Sequence, residues 1–160
     1  MDNSGISIRP YRAGDEEEIS ALVAYTMPIS NGKDYSPEYI EAIIREHSPG
    51  FFAEQAKTGH FYAAFDGEKM IGCGGITGYR GSTAESWLTS VFVLPEYQGR
   101  GVGRRIVETL ENDEFFTRAR RTELAASITA VDFYRKLGYT FKDGIRTPDE
   151  HEVVRMEKRK

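Results

Sequence analysis

Residues Pro95–Arg105 read PEYQGRGVGRR, with three glycines and three arginines in eleven positions. The stretch joins two patterned segments. Before it, ESWLTSVFVLP (Glu85–Pro95) is largely apolar at both alternating sets of positions, as expected of a central strand covered by helices. Alternation puts Trp87, Thr89, Val91 and Val93 on one face and Leu88, Ser90, Phe92 and Leu94 on the other. After it, Val102, Ile106, Val107 and Leu110 recur at helical spacing. A glycine loop at that junction has a physical use. The first N–H groups of a helix lack internal partners, the helix dipole favours an anion there, and glycine permits positive φ. Gly99, Gly101 and Gly103 form a candidate anion cradle, with Arg100, Arg104 or Arg105 adding charge.

Two familiar phosphate loops do not fit. The nucleotide-hydrolase loop needs Gly-Lys-Ser/Thr, and no such residues follow these glycines. The dinucleotide loop needs G-x-G-x-x-G; counted from Gly99 the last position is Arg104, and from Gly101 it is Ile106. That loop also follows the first strand of its fold, whereas this one follows the fourth. Gly72-Cys73-Gly74-Gly75 imitates the pattern but lies inside a strand, where glycine marks a bulge or close packing.

Outward from the loop, the chain reads as one domain over residues 1–160, which suits its length. ISIRPYR (Ile6–Arg12) alternates as a half-buried strand. Asp15 opens a helix with capping-box spacing to Glu18, and Pro28 is expected to stop it. Ser36-Pro37 and Ser48-Pro49 are helix starts. His60–Phe65 and Lys69–Tyr79 flank a tight Asp66-Gly67 turn. TELAAS (Thr122–Ser127) is a strand, and Thr129 and Asp132 can cap the helix that Gly138 ends. YTFKD and HEVVRMEK supply two last strands. The order predicts an α+β fold with a mostly antiparallel sheet, and a parallel, right-handed strand–helix–strand unit from Glu85 to Ser127.

Gln98, Gly101 and Gly103 also match [QR]-x-x-G-x-[GA]. VFVLPEYQGRGVG with AVDFYRKLGYTF downstream, then VVRMEK, resembles the GCN5-related N-acetyltransferase (GNAT) family over nearly the whole chain. The resemblance implies a mixed central sheet flanked by helices, with a splayed parallel strand pair, Glu85–Leu94 and Thr122–Ser127, forming a groove for acetyl-coenzyme A. It implies that the backbones of Val91, Phe92 and Val93 bind the pantetheine arm. The N–H groups from Gly99 and Arg100 through Gly101, Val102 and Gly103 to Arg104 would hold the pyrophosphate, beside Gln98. Ser127, Ala130 and Phe133 would border the groove; for Ser127 a turn role stays equally open.

The implied reaction is direct acyl transfer from acetyl-CoA to a primary amine of a small molecule or peptide. It needs a neutral amine, although a lysine-like amine has a pKa of ~10.4 in water. It needs a donor for the developing oxyanion, here a backbone N–H near Val91. It needs a proton for the departing thiolate, and the resemblance puts Tyr134 in that general-acid role. The base is harder to assign. Several relatives carry Glu on the central strand where this chain has Thr89, with Ser90 next, so Glu85 acting through water is one candidate and a residue of the N-terminal half another. A catalytically silent acyl-CoA-binding module is the alternative function. Substrate selection falls to the segment YTMPISNGKDYS (Tyr25–Ser36), where Tyr25, Asn31, Asp34 and Tyr35 are candidate contacts.

The remaining features bound the answer. A net charge of −4 argues against a nucleic-acid partner, and the basic clusters Arg118, Arg120, Arg121 and Lys158–Lys160 read as solvated surface. No apolar run approaches the ~20 residues of a membrane span, and Met1–Pro10 lacks an apolar leader core, so the cytoplasm is the expected compartment. The single cysteine, Cys73, reads as a buried strand residue. His47 reads as a satisfied helix-end histidine, and His47, His60 and His151 are too scattered to predict a metal. Homodimers are common in the family, but no interface is legible.

Overall fold

A computed structural model describes residues 5–160; Met1–Ser4, part of the stretch read as leaderless, lie outside it. Seven strands form one sheet in the order β1-β2-β3-β4-β5-β7-β6. They are β1 (Ile6–Pro10), β2 (Gly59–Asp66), β3 (Lys69–Gly78), β4 (Glu85–Val93), β5 (Arg121–Ser127), β6 (Thr140–Phe141) and β7 (Val153–Arg159). All neighbouring pairs are antiparallel except β4 and β5. Helices α1 (Glu16–Asn31), α2 (Pro37–Glu46) and α3 (Pro49–Thr58) precede the β2–β3 hairpin. Helices α4 (Val102–Glu111) and α5 (Glu114–Thr117) join β4 to β5, and α6 (Val131–Lys136) follows β5. Among the described residues no helix is long and apolar enough to cross a membrane.

The sheet is covered on both faces. Ile106 and Leu110 of α4 press so closely on β3 that a Cβ at Gly74 would lie 2.7 Å from Ile106. On the opposite face a Cβ at Gly75 would lie 2.6 Å from the Phe61 ring, which packs edge-on against Phe52 of α3. The glycine run is thus close packing, as its place inside a strand predicts.

Strict alternation along β4 does not hold. Cys73 pairs with Phe92 but Gly75 pairs with Thr89, so Ser90 and Val91 together face Gly74. Ser90 has φ 55°, and this bulge inverts the face pattern beyond it. Thr89 now shares a face with Phe92, towards α2 and α3, while Val91 turns towards α4. The bulge marks where β4 leaves its parallel partner. β4 and β5 pair only at Glu85–Arg121, Ser86–Thr122 and Trp87–Glu123. Further on, β5 stays paired with β7 through Ser127, and a gap opens between Leu88–Val93 and Leu124–Ser127.

Other expectations are corrected. Helix α1 runs through Pro28 to Asn31, because buried Thr26, Met27 and Asn31 continue its inner stripe while the proline faces outward. The capping box is not formed, since Asp15 accepts instead from Arg9 at 2.8 Å and from the Arg12 N–H at 2.8 Å. Thr129 and Asp132 do not cap α6; its cap is Ala130, without a side-chain bond. The hairpin turn consists of Gly67 and Glu68, one position later than read, since Asp66 pairs with Lys69. The last strands are shorter and shifted, as their ranges show.

Arg121 is not surface. Its side chain is 6% exposed and donates to Glu123 (2.7 Å), Glu157 (3.0 Å) and Glu85 (3.2 Å). Glu123 is fully buried and also receives Lys142 at 3.1 Å and Arg155. This network lies at the paired end of β4 and β5, where the Ser86 and Thr122 hydroxyls also bond at 2.8 Å.

Candidate active site

The glycine loop forms from a few local rules. Pro95 starts a single 3₁₀ turn after β4, tied down by Tyr97, whose hydroxyl donates to Asp66 at 2.6 Å. Gln98 then turns back, its Nε2 donating to the Val93 carbonyl at 3.0 Å and to the Ser30 hydroxyl at 2.7 Å. Gly99 (φ 76°) and Gly101 (φ 80°) are left-handed, a region that costs other residues about 1–3 kcal/mol. Gly101 is the N-cap of α4 and has no capping side chain. Arg105 N–H donates to the Gly101 carbonyl at 3.1 Å, which leaves the N–H groups of Val102, Gly103 and Arg104 without helical acceptors. A Cβ on Gly99 or Gly101 would meet nothing within 4 Å. Open space in front of unpaired N–H groups fits an anionic pyrophosphate. Substituting Gly101 by Ala is expected to weaken coenzyme A binding about tenfold with the fold retained, measured by calorimetric titration.

The cradle opens into a cavity of about 730 Å³ that follows the gap between β4 and β5. Val91, Phe92, Val93, Gln98, Gly99, Gly101, Gly103 and Arg104 line it, as do Ser127, Ala130 and Phe133. Of the predicted cofactor residues, Arg100 and Val102 do not. Arg100 lies over the Tyr97 ring at 4.7 Å, and Val102 buries its side chain in the core, leaving only its N–H to the cradle. Phe133 packs over Gly103, where a Cβ would be 3.1 Å from the ring.

Tyr134 lines this groove. Its ring packs against Phe133 at 5.0 Å and Tyr139 at 5.9 Å. Its hydroxyl has no hydrogen-bond partner among the described residues, and burial pushes the phenol above its ordinary pKa. The group therefore holds its proton through neutral pH and well beyond.

At the other end Tyr35 and Tyr39 stack at 4.5 Å. Both hydroxyls are engaged: Tyr35 donates to the Glu152 carbonyl (2.7 Å) and accepts from the Ile128 N–H (2.8 Å), while Tyr39 donates to the His151 carbonyl (2.9 Å). Burial raises both phenols, Tyr39 to about 12. Asn31 lines the groove next to Thr129, its Nδ2 at 3.4 Å from the hydroxyl. Tyr25 and Asp34 do not line it. Tyr25 lies on α1, ahead of Pro28, and donates to Glu96 at 2.9 Å, and Asp34 accepts from Thr129 at 2.6 Å.

Glu85 is corrected as well. It sits at the start of β4, outside the groove, and the hydrogen bond from Arg121 holds its carboxyl below the usual range. No carboxylate lines the groove among the described residues. Cys73 is no alternative nucleophile: it is fully buried, its thiol is pushed up to about 12 by that burial, and it donates to the Ser90 carbonyl at 3.4 Å.

The group that sequence reasoning passed over is His47. It does end α2, as its spacing suggests, with Nδ1 2.7 Å from the Ile43 carbonyl. Its ring also lines the groove, 5.8 Å from the Phe92 ring. Nothing local signals this, because the contact depends on the Ser90 bulge turning Phe92 towards α2.

Comparison with known proteins agrees with this geometry. Residues 57–141 match the family model described as the acetyltransferase (GNAT) domain. The chain is 27% identical over 138 residues to the uncharacterized N-acetyltransferase YafP of Escherichia coli (strain K12), covering 85% of this chain and 82% of that protein. It superposes on a PaiA N-acetyltransferase from Thermoplasma acidophilum, solved in complex with coenzyme A, with TM-score 0.83 and 21% identity, covering 97% and 99% of the two chains. A GCN5-related N-acetyltransferase structure from Rhodopseudomonas palustris gives TM-score 0.81 at 24% identity, over 100% and 99%. With a matching family model over more than half its length, a bulged β4 parting from β5, and a glycine cradle at the mouth of the gap, the chain belongs to the GNAT family of acetyltransferases.

Proposed function

We propose that the protein transfers an acetyl group from acetyl-CoA to a primary amine carried on an apolar or aromatic body, in a small molecule or at a peptide residue. One observation carries the reading: a continuous groove leads from the unpaired N–H groups at the start of α4, past Tyr134, to an aromatic chamber. Acetyl-CoA, when bound, supplies a thioester carbonyl as the acyl donor.

The protein's residues have separable tasks. The N–H groups of Val102, Gly103 and Arg104 bind the pyrophosphate, and the exposed strand edge of Val91–Val93 orients the pantetheine arm by backbone hydrogen bonds. A backbone N–H near Val91 stabilises negative charge on the carbonyl oxygen. Tyr134 holds a proton at its Oη for the departing sulfur. Its raised pKa suits a donor, because the proton is not lost to solvent before it is needed.

The chamber itself argues for the acceptor. Tyr35, Tyr39, Ile43, Phe92 and Trp87 line it, and among the described residues no carboxylate lines it to hold a second ammonium group. Arylalkyl amines are therefore expected to exceed linear polyamines in kcat/KM by at least about tenfold, the scale of one buried apolar group against an unpaired charge. A panel of both classes, assayed by coenzyme A thiol release, tests this; equal or reversed preference contradicts it. The lack of a carboxylate base also favours a second reading, acyl-CoA binding without turnover. Stabilisation by acetyl-CoA with no thiol release across the panel would select it.

A further inference from the structure

We propose that His47 is the base that takes the proton from the acceptor amine; this rests on the proposed transfer to an amine. The ionisable side chains lining the groove are Tyr35, Tyr39, His47, Arg104, Tyr134 and Lys136. Arg104 offers a cation with no lone pair, and Lys136 is exposed at the end of α6. Tyr35 and Tyr39 give their hydroxyl protons to backbone carbonyls, and Tyr134 is a donor. His47 is left as the lining side chain with a ring lone pair able to accept a proton.

Its geometry suits the task. The Ile43 carbonyl has no proton to give, so the 2.7 Å contact requires that Nδ1 carry the hydrogen. In the neutral ring the lone pair is then on Nε2, which has no partner among the described residues. The ring is held by Phe51 at 4.9 Å, Phe52 at 5.7 Å and Phe92 at 5.8 Å. The Ser20 hydroxyl of α1 fixes the backbone by donating to the His47 carbonyl at 2.7 Å. None of the rings packed on it from α3 and β4 is titratable. On its own helix, Glu46 is exposed and Tyr39 is tied to the His151 carbonyl, and no carboxylate bonds the imidazole among the described residues.

The proton inventory balances. As the acceptor nitrogen bonds to the acetyl carbon, its N–H bond breaks and the proton passes to His47 Nε2. The carbon–sulfur bond breaks, and Tyr134 gives its proton to the sulfur. His47 returns a proton to solvent and Tyr134 recovers one, which leaves an amide, a thiol and the starting enzyme.

His47→Asn is the decisive variant, because its amide can still donate to the Ile43 carbonyl while Nε2 is lost. Its kcat is expected to fall about 10²-fold or more at neutral pH, with coenzyme A affinity unchanged. For one amine, log kcat/KM of the wild type should show one more acid-side ionisation than that of the variant. A second readout needs no turnover: long-range proton–nitrogen NMR of the wild type should find the Nδ1–H tautomer. A folded variant within threefold of wild type, with the same pH profile, overturns the role, as does the Nε2–H tautomer if the variant fails to fold. A wild type that turns over no amine defeats the proposed activity itself, whatever the tautomer.

Discussion

Tyr134→Phe is expected to lower kcat by about 10²–10⁴-fold, the usual span of a lost general acid. Coenzyme A affinity should stay within about twofold, because the cradle at Gly99–Arg104 does not involve this residue. The substitution is clean in structural terms. The ring is 7% exposed and packs against Phe133 and Tyr139, contacts that phenylalanine keeps. Its hydroxyl bonds to nothing among the described residues, so its removal orphans no buried partner, and stability should change by less than about 1 kcal/mol. The pH dependence has a definite sign. Burial raises the phenol, so Tyr134 remains a donor on the alkaline side of neutrality, and the deficit of the variant should persist undiminished up to about pH 9. Steady-state kinetics across pH, with calorimetric titration of coenzyme A, checks both parts. An unchanged kcat would return Tyr134 to a packing role.

The largest effect on stability is expected at Glu123. Glu123→Ala removes a fully buried carboxylate from Arg121, Lys142 and Arg155 at once. Arg121 keeps Glu85 and Glu157 but loses its 2.7 Å bond, so the cost is expected at about 3 kcal/mol, the low end for a broken buried ion pair. The native carboxyl is held below its ordinary pKa. Burial opposes its charge, but hydrogen bonds from the three cations outweigh the burial. The sign follows from that direction. Its stabilisation is fully present above the unfolded carboxylate value of ~4.3 and is lost as pH falls through the lower folded value. Wild-type stability should therefore drop on acidification through that window, with a shallower drop in the variant. Urea unfolding at neutral and acid pH measures both, and a neutral-pH difference under about 1 kcal/mol would contradict the account. The groove also depends on this cluster, since Arg121 ties β5 to Glu85 of β4 where the two strands still pair. Loosening that end should blur the gap and weaken coenzyme A binding as well.

The features legible in the sequence were those with local causes. A strand, a positive-φ glycine loop and an amphipathic helix are written in PEYQGRGVGRR and its flanks, and the backbone adopts them. The landmark FYRKLGY likewise brings Tyr134 to the groove. Non-local causes were hidden. A serine at φ 55° carries no mark in the sequence, yet the bulge at Ser90 decides which β4 side chains face α2. Pro28 signals a stop, but the tertiary burial of Thr26, Met27 and Asn31 carries the helix past it. Arg121 reads as surface, and Glu85 as one candidate base acting through water, because charge pattern alone does not reveal their pairing with each other. His47 shows its helix-end bond in sequence spacing and hides its second face, which only the packing against Phe92 reveals.

The most direct test of the central claim follows both products at once. Acetyl-CoA and an arylalkyl amine are incubated with the protein, free thiol is measured, and mass spectrometry quantifies the amide. The account predicts one acetylated amine for each coenzyme A released, with both lost together in Tyr134→Phe. Tight binding of acetyl-CoA with no amide formed on any primary amine, or thiol release without amide, would contradict it.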